Sequence, residues 1–224
     1  MPNPDHPLFQ LRDTCSQYGA TLVAVSKTRT IPETDVLYQL GQRLFAENRA
    51  QELLLKAPVM PSDIEWHLIG HLQTNKVRSV LPYVTCIQSL DRISLWEKIQ
   101  EEAGRIDKRI NCLLQIKVAM EDTKYGWGLE ELYQILASGQ HHQYPNVIIG
   151  GVMGMASFTD DTAQVRREMK QIKTSFDLMQ REYFAENPAF RTISMGMSGD
   201  YLIALEEGST MIRVGSLLFP ANQH

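Results

Sequence analysis

Cysteine is scarce in this chain of 224 residues: Cys15, Cys86 and Cys112 are the three, widely spaced and without a CxxC pair. An odd set of lone thiols gives no disulfide framework and fits a reducing cytoplasm. Cys86 and Cys112 lie in apolar runs and read as packing residues. No apolar stretch approaches the roughly 20 residues that a bilayer-spanning helix needs. The start, Met1-Pro2-Asn3-Pro4-Asp5-His6, has neither a basic cluster nor an apolar core, which argues against a secretory leader. A basic surplus is also missing. The formal net charge is −4, with 22 Lys and Arg against 26 Asp and Glu, so general nucleic-acid binding lacks electrostatic support.

Several catalytic signatures are absent as well. No GxGxxG follows a strand, and no GxxxxGK[ST] loop or GxSxG elbow occurs. HExxH is missing, and the adjacent pair His141-His142 would project its side chains apart, so no metal spacing emerges. Dinucleotide, P-loop, α/β-hydrolase and zincin readings therefore have no support. What remains is ordinary globular composition, 43% hydrophobic and 21% charged, with no linker or low-complexity tract to divide it. The chain reads as a single domain over residues 1–224.

Short apolar runs alternate with longer amphipathic ones. Eight candidate strands fall at Leu22–Val25, Arg43–Phe45, Trp66–Ile69, Val84–Ile87, Cys112–Val118, Val147–Met153, Thr192–Ser194 and Met211–Ile212. Between them, Val165, Met169, Ile172, Phe176, Met179 and Tyr183 step by 4, 3, 4, 3, 4 and draw one helical stripe. Asp91 is placed to cap another helix, in which Ile93, Trp96 and Ile99 share a face. Such alternation favours a parallel α/β architecture. A closed (β/α)8 barrel fits the strand count; an open doubly wound sheet is the competitor. In a barrel, the strand C-termini carry the site. Polar residues cluster there: Lys27 after the first strand, Glu47 and Asn48 after the second, Ser198 after the seventh, Arg213 and Gly215 after the eighth.

Lys27 closes a buried run, where desolvation would favour its neutral, nucleophilic amine; alternatively it is a surface lysine where the strand emerges. The run Met195-Gly196-Met197-Ser198-Gly199-Asp200 precedes Tyr201-Leu202-Ile203-Ala204-Leu205, which reads as a helix start whose free N–H groups would face an anion. Gly215 lets a second backbone approach, with Ser216 behind it. The plainer alternative is a helix cap followed by a turn. An amine and an oxyanion cradle in one place suggest a ligand carrying both an aldehyde and a phosphate, pyridoxal 5′-phosphate. Arg213 either pairs with Glu206 or Glu207 or contacts that ligand. Beside a pyridine nitrogen it would keep the ring unprotonated, because guanidinium donates and cannot accept. His67, inside an apolar run, reads as a hydrogen-bonded core residue rather than a base.

Taken together, Val23-Ala24-Val25-Ser26-Lys27, Phe45-Ala46-Glu47-Asn48-Arg49-Ala50-Gln51-Glu52, Trp66-His67-Leu68-Ile69-Gly70-His71-Leu72-Gln73-Thr74-Asn75-Lys76, Met195–Asp200 and Gly208–Gly215 resemble the YggS/PROSC family of pyridoxal phosphate homeostasis proteins. The likeness runs from about Thr21 to Phe219. It implies a fold-type III barrel like that of alanine racemase, with an additional N-terminal helix. It further implies that Lys27 holds the cofactor as an internal aldimine. Ser198, Gly215 and Ser216, beside Met197, would bind the phosphate. Arg213 would lie near the ring nitrogen, and Asn48 would line the pocket. The implied role is a cytoplasmic, monomeric carrier that buffers pyridoxal phosphate or delivers it to apo-enzymes, without nucleic acid or membrane as partner. A weak amino-acid racemase is the alternative, with Tyr201, His67 or Lys117 as a second base. Two positions depart from the family pattern: Lys117, where asparagine is common, and Pro220, where glycine is common. Lys117 would change the pocket's charge if it pointed inward.

Overall fold

A computed structural model describes residues 5–118 and 125–219. Pro220 lies outside the described residues. The first helix, α1 (Pro7–Gln17), precedes the first strand, and His6 Nδ1 caps it by accepting from Leu8 N–H at 3.1 Å. Eight parallel strands follow: β1 (Thr21–Val25), β2 (Leu44–Glu47), β3 (Glu65–Leu68), β4 (Val84–Leu90), β5 (Ile110–Gln115), β6 (Val147–Met153), β7 (Thr192–Ser194) and β8 (Met211–Val214). They hydrogen-bond in chain order, and β8 returns to β1, so the sheet closes into a barrel. Closure decides against the open sheet. It also leaves this sheet no unpaired edge among the described residues.

Helices fill the intervals: α2 (Ile31–Gln39), α3 (Ala50–Lys56), α4 (Val77–Val80), α5 (Ile93–Arg105), α6 (Leu129–Ala137), α7 (Thr162–Tyr183) and α8 (Tyr201–Glu206). The expected stripe is the buried face of α7, where Val165, Met169, Ile172, Phe176 and Met179 pack inward. Asp161 starts that helix by accepting from the N–H groups of Ala163 and Gln164. The expected cap on α5 is absent. Arg92 holds the cap position without a side-chain bond, because the Asp91 carboxylate is engaged by His71 and Arg92.

Strand parity decides which side chains meet the helices and which fill the barrel. Leu22 and Ala24 join the large core between sheet and helices, whereas Val23 and Val25 pack inside with Ala46. A second inner cluster contains Cys86, Leu113 and Met153. Between these apolar groups the barrel holds a polar band of His67, Gln88, Ser194 and Arg213, all buried. The closed geometry aims all eight strand C-termini at one mouth.

Candidate functional site

A cleft of about 760 Å³ opens at this mouth. That volume lies within the usual range for small-molecule sites. Lys27, Asn48, Met197, Ser198, Arg213, Gly215 and Ser216 all line it. The residues singled out from the sequence thus converge from four strand ends, those of β1, β2, β7 and β8. Other linings gave no signal in the sequence: Gln115, Tyr125, Met155 and Ser157 reach the cleft through barrel closure. Tyr125 stacks on His71, with ring centroids 4.1 Å apart. Lys117, His67 and Tyr201 are not among the lining residues.

Lys27 is exposed on the rim. Of its two readings from the sequence the surface one holds and the buried one does not, because the strand ends at Val25 and the chain turns out of the barrel at once. What is buried is the support behind it. Ser26 Oγ donates to Glu47 Oε1 at 2.6 Å, and Lys56 Nζ donates to the same oxygen and to the Ser26 carbonyl, each at 2.6 Å. On the other flank, Thr28 has φ 62° and its N–H donates to Glu52 Oε2 at 2.6 Å. A β-branched residue in this left-handed region is strained. The base of Lys27 is therefore clamped on both sides while its amine stays accessible.

Glu47 does not reach the mouth. Parity turns it outward toward α3, because Ala46 already points inward. Its carboxyl is fully buried, and burial pushes its pKa up against the opposing pull of Lys56 and Ser26. Its second oxygen, Oε2, has no partner among the described residues. Asn48, one position on, does face the cleft. It sits so close to Gly70 that a Cβ there would lie 2.0 Å from the Asn48 carbonyl oxygen. Only glycine lets these two strand ends meet.

On the opposite side, the loops after β7 and β8 touch: Gly215 N–H donates to Ser198 Oγ at 3.3 Å. Gly196 turns the first loop at φ 94°, and a Cβ there would run into Ala204 at 2.5 Å. The helix-start reading of this loop needs correction. Helix α8 spans six residues, and the Asp200 carboxylate at its cap accepts from Met197 N–H at 2.5 Å. One amide is thus taken, and the dipole of so short a helix counts for little. Open donors remain: among the described residues the backbone N–H groups of Ser198, Gly199 and Ser216 have no protein partner. Unpaired donors on two adjoining loops make an oxyanion nest.

Arg213 is buried at the cleft floor, and its alternative partners are engaged elsewhere, since Glu206 and Glu207 both pair with Arg166. Its Nη1 donates to Ser194 Oγ at 2.7 Å and its Nη2 to the Gly154 carbonyl at 3.0 Å. Burial pulls its pKa down to about 10, with Asp200 opposing, so it remains a cation near neutrality. The cleft therefore offers an amine, an oxyanion nest and a buried cationic donor. No group of three or more His, Cys, Asp or Glu suited to a metal ion occurs among the described residues.

Residues 5–223 match the family described as alanine racemase, N-terminal domain. A pyridoxal phosphate homeostasis protein of Aquifex aeolicus is 35% identical over 218 residues, covering 95% of this chain and 93% of its own. One of the same name from Synechocystis sp. is 37% identical over 203 residues, covering 88% of this chain and 89% of its own. Among solved structures, PipY of Synechococcus elongatus with PLP bound is 33% identical, with a TM-score of 0.83, over 95% of this chain and 99% of that one. An alanine racemase of Clostridium difficile superposes with a TM-score of 0.72 over 98% of this chain and 57% of its own; at 13% identity that is a likeness of fold alone.

Proposed function

The chain belongs to the alanine racemase N-terminal domain family and, within it, to the pyridoxal phosphate homeostasis proteins; from that premise we propose that its mouth reversibly holds pyridoxal 5′-phosphate, and that the protein buffers or delivers this cofactor rather than turning over a substrate. The observation that carries the reading is the shared cleft: Lys27 and the Ser198–Gly215 nest open on one space of about 760 Å³. The donors left open on Ser198, Gly199 and Ser216 fit a phosphate, and the exposed amine of Lys27 fits an aldehyde. When bound, the cofactor supplies an aldehyde carbon that an amine captures reversibly.

The residues divide the work. Ser198 and the backbone N–H groups of Gly199 and Ser216 would hold the phosphate, with the Gly215 N–H bracing the Ser198 hydroxyl beside it. Arg213 would meet the ring nitrogen as a donor and so leave it unprotonated, a state that withdraws electrons poorly. Asn48 and Met197 would flank the ring. Lys27 would supply the amine from a clamped base. An accessible amine beside a pre-formed nest suits uptake and release, which supports a carrier. Three free cysteines support a reducing, cytoplasmic setting. No helix among the described residues is long and apolar enough to cross a membrane. A monomer that hands the cofactor to apo-enzymes is the simplest form of this reading.

The test is chemical. Protein incubated with pyridoxal phosphate is reduced with borohydride, digested and mapped. The label is expected on the peptide containing Lys27 and lost from it in Lys27→Ala. Undiminished labelling of Lys27→Ala at the same site, or wild-type label confined to another lysine, would overturn the assignment. Exchange of an amino-acid α-proton with sustained turnover would replace the carrier by the racemase reading.

A further inference from the structure

The polar band inside the barrel is a connected chain. Arg213 Nη1 donates to Ser194 Oγ at 2.7 Å; Ser194 Oγ lies 2.7 Å from Gln88 Oε1; Gln88 Nε2 lies 2.8 Å from His67 Nδ1. It crosses the lumen from β8 through β7 and β4 to β3. At the residue level 3% of Arg213, 0% of Ser194, 0% of Gln88 and 6% of His67 is exposed, so water cannot substitute for a missing partner.

One direction of donation makes every link and also leaves the Ser194 hydrogen with a partner. A guanidinium donates and never accepts. Ser194 Oγ must therefore accept from Arg213; it could also accept from a flipped Gln88 amide, but its own hydrogen would then have no partner among the described residues in a dry interior, so that hydrogen goes to Gln88 Oε1. The Gln88 oxygen is then spoken for, and its amide nitrogen must face the other way. That nitrogen donates to His67 Nδ1 and approaches Met211 Sδ at 3.3 Å, an acceptor as well. His67 Nδ1 thus accepts, and the ring proton belongs on Nε2. The depressed pKa of His67, about 4 through burial, agrees with a neutral ring. The tautomer of an imidazole on β3 is in this way set by a cation on β8.

We propose that Ser194 and Gln88 are positioning residues: through this one-way chain they fix the guanidinium of Arg213 at the cleft floor, so that its remaining N–H groups are presented to an acceptor nitrogen of a heteroaromatic ligand. Two of its five N–H donors are consumed by Ser194 and Gly154, which stops the planar fork from turning. Without Ser194, Nη1 loses its partner in a dry interior and the fork is free to re-aim. The Gln88 amide then loses its polarity constraint, and His67 loses its fixed tautomer. The ligand half of this inference rests on the pyridoxal phosphate reading; the tautomer half does not.

Two measurements keep these halves apart. In unloaded protein, nitrogen-detected NMR of the His67 ring should show the Nε2–H tautomer. Ser194→Ala should convert it to a mixture, and Ser194→Thr, which retains the hydroxyl, should restore it. In loaded protein, Ser194→Ala should weaken cofactor retention about tenfold and shift its visible absorption band, with Ser194→Thr recovering both. If Ser194→Ala does not fold, Gln88→Met severs the chain at the next link and carries the same two expectations. A wild-type His67 protonated on Nδ1, or a severed chain that leaves tautomer and band unchanged, would overturn the proposal. A tautomer that responds as expected in a protein that does not take up pyridoxal phosphate would confirm the chain and refute the functional reading instead.

Discussion

Two buried polar networks stand beneath this cleft, and they solve the problem of burying charge in opposite ways. Behind β1 and β2, Ser26, Glu47 and Lys56 set a carboxylate against an ammonium at 2.6 Å, facing outward to α3. Inside the barrel, Arg213 has no carboxylate partner in its bonded chain. Its charge is spread over Ser194, Gly154, Gln88 and His67, which answer it with oriented dipoles. The first network ends on an orphan, Glu47 Oε2, whereas the bonded atoms of the second each find a partner. An ion pair fixes a backbone at the expense of desolvation, and a dipole chain fixes a direction. The lysine side of the cleft needs a rigid base under a free amine. The arginine side needs an aimed donor.

The largest break in this comparison comes from removing one member of the ion pair. Lys56→Met leaves the Glu47 carboxylate buried and unpaired, and should cost about 3–5 kcal/mol of stability at neutral pH, read from urea unfolding. Acid should relieve that cost. The folded-state pKa of Glu47 is raised, so the folded protein holds the proton more tightly than the unfolded chain. Its contribution is most favourable below the unfolded value and is lost as pH rises through the folded one. The gap between Lys56→Met and wild type should therefore narrow on acidification. A gap that widened would mean that Glu47 is not the stranded charge.

The dipole chain should show the opposite sign. His67 has a folded-state pKa lowered to about 4, against an ordinary 6.5. The neutral ring's contribution is present above 6.5 and lost as pH falls toward 4, a loss of about 3 kcal/mol over that window. His67→Gln, which keeps a polar side chain without the titration, should flatten this segment of the stability–pH curve. An equal slope in both proteins would remove His67 from the account.

The smallest effect sharpens the lysine side. Thr28 sits at φ 62° beside Lys27, and Thr28→Gly should relieve the strain while adding chain entropy to the unfolded state. The net gain expected is below about 1 kcal/mol, a rise of a few degrees at most in the melting temperature. Because glycine keeps the N–H bond to Glu52, borohydride labelling of Lys27 should persist. A fall in stability would show that the residue is not strained there.

Much of this molecule was legible from residue order. Alternation of apolar runs located all eight strands, and the stripe from Val165 to Tyr183 found α7 to within a turn. Boundaries slipped where polar residues lie inside strands. β4 extends through Gln88 and Ser89 to Leu90, because a barrel lumen tolerates polar side chains that bond one another. Asp91 looked like a helix cap and serves instead as the partner of His71 and Arg92, since spacing cannot say which of several donors an aspartate meets. Lys27 could be read as buried or as surface, because the residues before it are buried and the strand ends beside it.

Sequence by itself determined the chemistry available, an amine, two glycine-bearing loops, an arginine, and the periodicities that make strands and helices. Those follow from local geometry and side-chain type, which a linear string contains. Closure of β8 onto β1 decided the rest: which parity faces the lumen, that Glu47 turns away while Asn48 turns in, and that residues 67, 88, 194 and 213 share one row of hydrogen bonds. Contacts between residues so far apart along the chain depend on register and on the direction in which each donor points, and both exist only once the sheet has closed.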